Sequence, residues 1–151
     1  MIQNIYIDTS VIGGCLDEEF ALWSEKLVDE IRSGEYLAVI SDLTLYELES
    51  APENVQNILA SIPEEHSTYV SFSEEAEELA DKYIKEKIVS RKHIADAQHI
   101  AIATANRSDI LVSWNFKQIV NLDKIHGYNA VNLKNNFPML EIRSPREVSN
   151  E

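Results

Sequence analysis

Short apolar runs alternate along the chain with amphipathic stretches of helical period. Gln3 to Ile7 reads as a buried strand ending at Asp8, and Phe20 to Ser33 as a helix with Phe20, Trp23, Leu27 and Ile31 on one stripe. Gly34 suits the C-terminal stop of that helix. Tyr36 to Ile40 forms a second strand, Ser41-Asp42 leads into a short helix carrying Glu47, and another helix starts near Pro52. Pro63 to Ser67 reads as loop and Thr68 to Phe72 as a third strand. Ser73 can cap the helix behind it, where Ala76, Leu79, Ala80, Tyr83 and Ile84 fall at helical spacing. Asp96 to Ala105 is apolar nearly all round, as a helix packed under other elements would be. Ile110 to Ser113 is a fourth strand, SWNFKQIVN turns into helix, and Met139 to Ile142 is a candidate edge strand before a polar tail over 143–151.

Strands alternating with helices imply right-handed crossovers and a parallel sheet with helices on both faces, so the class is α/β. A chain of 151 residues buries one substantial core but is too short to divide comfortably, and 1–151 is expected to be a single domain. No internal repeat or low-complexity segment interrupts it.

Composition changes the picture in two ways. The only cysteine, Cys15, cannot make an internal disulfide, and the start MIQNIYID lacks the basic and apolar regions of a secretory signal. No apolar stretch approaches the roughly 20 residues that span a bilayer, so the expectation is a cytoplasmic protein with no membrane partner. Thirteen basic residues against twenty-six acidic ones give a net charge of −13, which argues against an extended phosphate-gripping surface. The distribution is uneven, however. Lys82, Lys85, Lys87, Arg91 and Lys92 place five basic residues in eleven consecutive positions ending just before Asp96. A run of this kind is ordinarily a solvated face, but Arg91 and Lys92 are its candidates for gripping a phosphate backbone.

In a parallel α/β sheet, sites form at the carboxyl ends of the strands, where the crossover helices also begin. Asp8 ends the first strand, Glu47 follows the second, Asn115 follows the fourth, and Asp96 opens the helix leading into that strand. Each has an ordinary reading: an N-cap for Asp8 or Asp96, a solvated helix position for Glu47. Together they map to one edge. Carboxylates converging there repel one another unless a cation neutralises them, and Mg2+ or Mn2+ suits oxygen ligands. His66, His93, His99 and His126 lack the spacing of a zinc site. His99, one turn after Asp96, reads as a structural histidine or as one that orients a ligand or touches substrate. There is no GxxxxGK[ST] loop, GxGxxG fingerprint or GxSxG elbow. A phosphatase using Asp8 stays open, although the stretch after it reads DTS where a DxD arrangement is usual.

The strings IYIDTSVIGG, SDLTLYELES and HIADAQHIAIATANRSDILVSWNF resemble the successive motifs of PIN domains, especially the bacterial VapC-like toxins, over almost the whole chain. The resemblance aligns Asp8, Glu47 and Asp96 with the family's acidic residues, Thr9 and Ser10 with the hydroxyl positions beside the first, and Asn115 with the fourth site, Ser113 lying just upstream. It implies a three-layer α/β/α fold with a central, mostly parallel sheet. It further implies Mg2+- or Mn2+-dependent cleavage of RNA to a 3′-hydroxyl and a 5′-phosphate, a homodimer, and a cognate antitoxin that occludes the site. On this pattern Asp8, Glu47 and Asp96 hold metal, Asn115 completes the catalytic set, and Thr9, Ser10, Ser113, Arg91 and Lys92 meet substrate. Many relatives carry aspartate where this chain has Asn115, which weakens a second metal site and leaves open a PIN-like binding module without turnover.

Overall fold

The computed structural model describes residues 1–149. The strands are β1 (Gln3–Ile7), β2 (Tyr36–Ser41), β3 (Ser67–Val70), β4 (Ile110–Val112) and β5 (Glu141–Arg143). The helices are α1 (Thr9–Gly14), α2 (Ala21–Arg32), α3 (Asp42–Leu48), α4 (Glu53–Ala60), α5 (Glu74–Lys85), α6 (Ile94–Ala105), α7 (Leu122–Lys134) and α8 (Pro145–Val148). The strands form one sheet in the order β3-β2-β1-β4-β5, with every neighbouring pair parallel.

The central strands show why the layers form. Successive side chains point to opposite faces, so β1 sends Ile5 and Ile7 one way and Tyr6 the other. Ala38 and Ile40 oppose Val39 in β2, as Ile110 and Val112 oppose Leu111 in β4. One apolar cluster joins Ile5, Ile7, Ile40 and Val112 to Val11, Leu27, Val28 and Ile31 of α1 and α2. The second joins Tyr6, Val39, Leu111 and Ile142 to α5, α6 and α7 through Leu79, Tyr83, Ile100 and Tyr128. The result is the three-layer α/β/α arrangement. Both faces of the central strands are covered, which accounts for their near-continuous apolar sequences.

Element ends depart from the sequence reading where side chains take over backbone hydrogen bonds. Strand β3 stops at Val70 short of Phe72, whose N–H donates to both carboxylate oxygens of Asp42 at 3.0 and 3.1 Å. Strand β5 begins only at Glu141, because Asn129 clamps Leu140, donating to its carbonyl at 3.1 Å and accepting from its N–H at 2.7 Å. The SWNFKQIVN segment is first a turn: Asn115 Oδ1 accepts from the N–H groups of Lys117 and Gln118, and Asn121 then caps α7. The segment 64–66 is a turn of 3-10 helix within the expected loop. The tail is partly structured, since Arg143 ends β5 and Ser144 with Glu147 forms a reciprocal capping box for α8. Ser149 Oγ then donates to Glu30 at 2.9 Å; positions 150–151 of the expected tail lie outside the described residues.

Candidate active site

Asp8 leaves β1 with extended backbone and caps α1, a short helix that the sequence pattern did not reveal. Its carboxylate accepts from the Ser10 N–H at 3.1 Å and the Ser10 hydroxyl at 2.7 Å. The cap reading and the site reading therefore coincide. The side chain is only 5% exposed, and burial pushes its pKa above the ordinary aspartate value against the attraction of His99 and the hydroxyls of Ser113 and Ser10.

Asp96 lies in the first turn of α6, which starts at Ile94, so it does not cap that helix. Burial raises its pKa, His99 and a hydrogen bond from Asn115 oppose the rise, and the charge of Asp8 adds to it. The Asp8 and Asp96 carboxylates thus feel each other across the edge. Among the described residues neither is paired with Lys or Arg; His93 Nδ1, 3.8 Å from Asp96 Oδ2, is the ionic neighbour. Asn115 Nδ2 donates to Asp96 Oδ1 at 3.1 Å, which fixes the turn after β4 to the start of α6.

Glu47 is held differently. Its Oε1 accepts from the Thr9 hydroxyl and faces His99 Nε2 at 2.9 Å. Behind it, His99 Nδ1 meets the Tyr6 hydroxyl at 2.6 Å, and that hydroxyl meets Ser41 Oγ at 2.7 Å. The His99 Nε2–H donates to Glu47, and the Tyr6 hydroxyl bridges Nδ1 and Ser41 Oγ. Burial holds the Tyr6 phenol well above the usual tyrosine range, so it keeps its proton. Burial also works against a charged Glu47, but the hydrogen bond and charge of His99, with the Thr9 hydroxyl, prevail and lower its pKa. His99 is buried, as its structural reading requires, and its ring holds Glu47 through Nε2.

The edge therefore carries an open pair, Asp8 and Asp96, beside a restrained Glu47. Among the described residues, no three His, Cys, Asp or Glu side chains gather into a ready-made metal cage, so the expected convergence is looser than three carboxylates on one point. A hard divalent cation that keeps most of its waters needs only one or two protein carboxylates, and the Asp8–Asp96 pair, with no lysine or arginine paired to it among the described residues, fits that demand. Ser113 departs from expectation. It is fully buried and its Oγ accepts from the Asn115 N–H at 3.0 Å, so it shapes the turn and is closed to substrate. The hydroxyls of Thr9 and Ser10 likewise hold Glu47 and Asp8. Arg91 and Lys92 are exposed in a 3-10 turn immediately before α6. Cys15 is buried and its thiol is pushed up to about 11 by that burial, in keeping with a structural role.

The family profile of the PIN domain matches residues 5–125, which contain all four edge positions. The chain belongs to the PIN-domain family. No curated protein matches it at the sequence level. Solved structures share the fold of this PIN domain at low identity. VapBC2 from Rickettsia felis, bound to a DNA fragment from its promoter, superposes with a TM-score of 0.60 at 14% identity, covering 94% of this chain and 98% of that one. VapC20 of Mycobacterium tuberculosis, a toxin that cleaves the sarcin-ricin loop, gives 0.58 at 13% identity over 75% and 91%. FitAcB from Neisseria gonorrhoeae gives 0.60 at 14% identity over 95% and 99%. No helix among the described residues is long and apolar enough to cross a membrane.

Proposed function

We propose that this PIN domain is a Mg2+- or Mn2+-dependent endoribonuclease, the toxin of a type II toxin-antitoxin pair. The observation that carries the reading is the buried Asp8 carboxylate set against Asp96 at the carboxyl end of the sheet, with no lysine or arginine paired to either among the described residues. Leaving two such groups without a counter-charge is costly unless a cation is bound in the working state. Asp8, Asp96 and Glu47 would hold it. When bound, a divalent ion supplies a Lewis acid for the phosphoryl oxygens and lowers the pKa of a coordinated water.

The chain's own groups set up that chemistry. Ser10 fixes the rotamer of Asp8, and Asn115 fixes that of Asp96. Thr9 and His99 hold Glu47 by one oxygen; the other, Oε2, accepts no hydrogen bond among the described residues and faces the role of ligand. Arg91 and Lys92, exposed ahead of α6, supply the contact to the RNA backbone that the acidic remainder of the chain cannot. The Mycobacterium tuberculosis neighbour, which cleaves the sarcin-ricin loop, supports an RNA substrate, and the VapBC2 neighbour supports an antitoxin partner. A homodimer in the cytoplasm completes the reading.

The second reading, a PIN-like binding module without turnover, draws on Asn115 and on the lack of a ready-made three-ligand cluster among the described residues. Incubation with RNA and with a generic phosphomonoester, each in Mn2+ and in EDTA, separates the possibilities. Mn2+-dependent cutting of RNA alone is expected. Turnover of the phosphomonoester alone indicates a phosphatase, and binding of RNA without cutting indicates the module.

A further inference from the structure

Asn115 is flanked by two aromatic residues, and together with two from α2 and its entry they form a groove beside the acidic edge. The groove, about 630 Å3, is lined by Phe20, Trp23, Trp114, Phe116 and Val120 with Arg146 at its rim. Phe20 stacks on the Trp114 indole with centroids 4.3 Å apart and planes 19° from parallel, and Phe116 meets the indole edge-on at 6.0 Å. The indole is pinned: Nε1 donates to Ser24 Oγ at 2.7 Å and its backbone N–H donates to Ser10 Oγ at 2.9 Å. Ser10 is the residue that holds Asp8, so one hydroxyl joins the aromatic wall to the carboxylate.

Phe116 is 49% exposed, a large apolar side chain kept at the surface, while Phe20 and Trp23 are half-buried. Two cations, Lys26 at 5.4 Å and Arg146 at 5.7 Å, lie over the Trp23 ring, and Lys117 is exposed next to Phe116. Two acidic residues also line the groove: Glu147 is engaged by the cap of α8, accepting from the Ser144 N–H at 2.9 Å, and Glu19 stands exposed beside Phe20. Aromatic faces with Lys26 and Arg146 against them, linked to the acidic edge through Ser10, match the chemistry of single-stranded nucleic acid, whose unstacked bases lie on aromatic rings while cations follow the backbone. A duplex keeps its bases stacked inside and cannot offer them to such a wall.

We infer that this groove is a base-stacking subsite for single-stranded RNA, seating a nucleobase next to the scissile phosphate against Phe116 and Phe20, with the buried Trp114 indole supporting both rings from behind. The inference rests on the nuclease reading for its choice of RNA. It assigns Phe116 as a positioning and specificity residue, and it commits the substrate to a loop or an unpaired strand.

Trp23 and Trp114 are the only tryptophans, so intrinsic emission reports directly on this groove. The test titrates a single-stranded oligoribonucleotide, the same oligomer with an abasic stretch, and a duplex, all in EDTA, with cutting assayed separately in Mn2+. Wild type should lose tryptophan emission only with the base-bearing single strand. Phe116→Ala should bind that strand about tenfold more weakly, the loss of one stacked base, yet match wild type on the abasic oligomer. Phe116→Leu, which keeps bulk without a ring, should resemble the alanine variant, and Phe116→Tyr should restore binding. If wild type cuts RNA but its emission is unmoved, or Phe116→Ala binds as wild type does, the subsite is overturned and the nuclease reading stands. If the strand quenches emission and is never cut, the nuclease reading fails and the groove remains. If nothing binds or is cut, both fail.

Discussion

Asn115 donates to Asp96 across 3.1 Å, so its amide meets an acidic neighbour as a donor, not as a rival anion. Asn115→Asp exchanges that hydrogen bond for repulsion against a carboxylate already pushed up by burial and by Asp8. In EDTA the variant should melt below wild type. Calorimetric titration should show tighter Mn2+ binding, because an anionic oxygen replaces an amide at the mouth of the site. Unchanged or weaker Mn2+ binding would make Asn115 a turn residue outside the metal shell.

Tyr6→Phe removes the hydroxyl that serves both His99 Nδ1 and Ser41 Oγ in a fully buried setting. Leaving a buried partner unsatisfied costs about 1–3 kcal/mol, measurable by urea unfolding. RNA cleavage should fall as well, since His99 loses the partner that orients it toward Glu47. Wild-type stability in the variant would mean that the chain of bonds behind Glu47 contributes nothing.

Gly13 and Gly14 are neighbours with opposite prospects. A Cβ on Gly14 would stand 2.5 Å from Ser24 Oγ and 2.9 Å from Trp114 Nε1, breaking the bond that pins the indole. Gly14→Ala should destabilise by about 1–3 kcal/mol and alter tryptophan emission. A Cβ on Gly13 meets nothing within 4 Å inside α1, so Gly13→Ala should stabilise by about 0.5–1 kcal/mol. Equal melting temperatures for the two variants would contradict this packing.

Replacing Arg91 and Lys92 with glutamine should weaken RNA binding and flatten its salt dependence, by about 0.7 units of log-log slope for each phosphate that is no longer neutralised. Both are exposed ahead of α6, whereas Lys82 is turned away, its Nζ 2.8 Å from Asn135 Oδ1, and replacing it should do little. Identical binding across a salt series would reduce the basic run to a solvated surface.

The sequence pattern reaches the sheet, the central helices and the edge on which Asp8, Glu47, Asp96 and Asn115 stand, because period and strand-end position carry that information. Hidden from it are contacts between distant segments. The Asn129 clamp that delays β5, the Asp42 carboxylate that ends β3, and the tail folded back to Glu30 all depend on side chains far apart in the chain. The same holds for the support of Glu47, although a lone tyrosine in the otherwise aliphatic strand end IYI was a usable signal. Ser113 misled because a hydroxyl at a strand end is as well suited to shaping a turn as to meeting substrate.

The role of the acidic edge is tested most directly by the rate of RNA cleavage across a Mn2+ titration for wild type, Asp8→Asn and Asp96→Asn, with apo melting curves alongside. The wild-type rate should rise with Mn2+, saturate, and vanish in EDTA. Both variants should stay folded, with apo stability held or raised by the relief of repulsion, and should cut no RNA at any Mn2+ concentration. A folded variant of either kind that cuts at close to the wild-type rate would contradict the assignment of Asp8 and Asp96 as the carboxylates on which the chemistry depends.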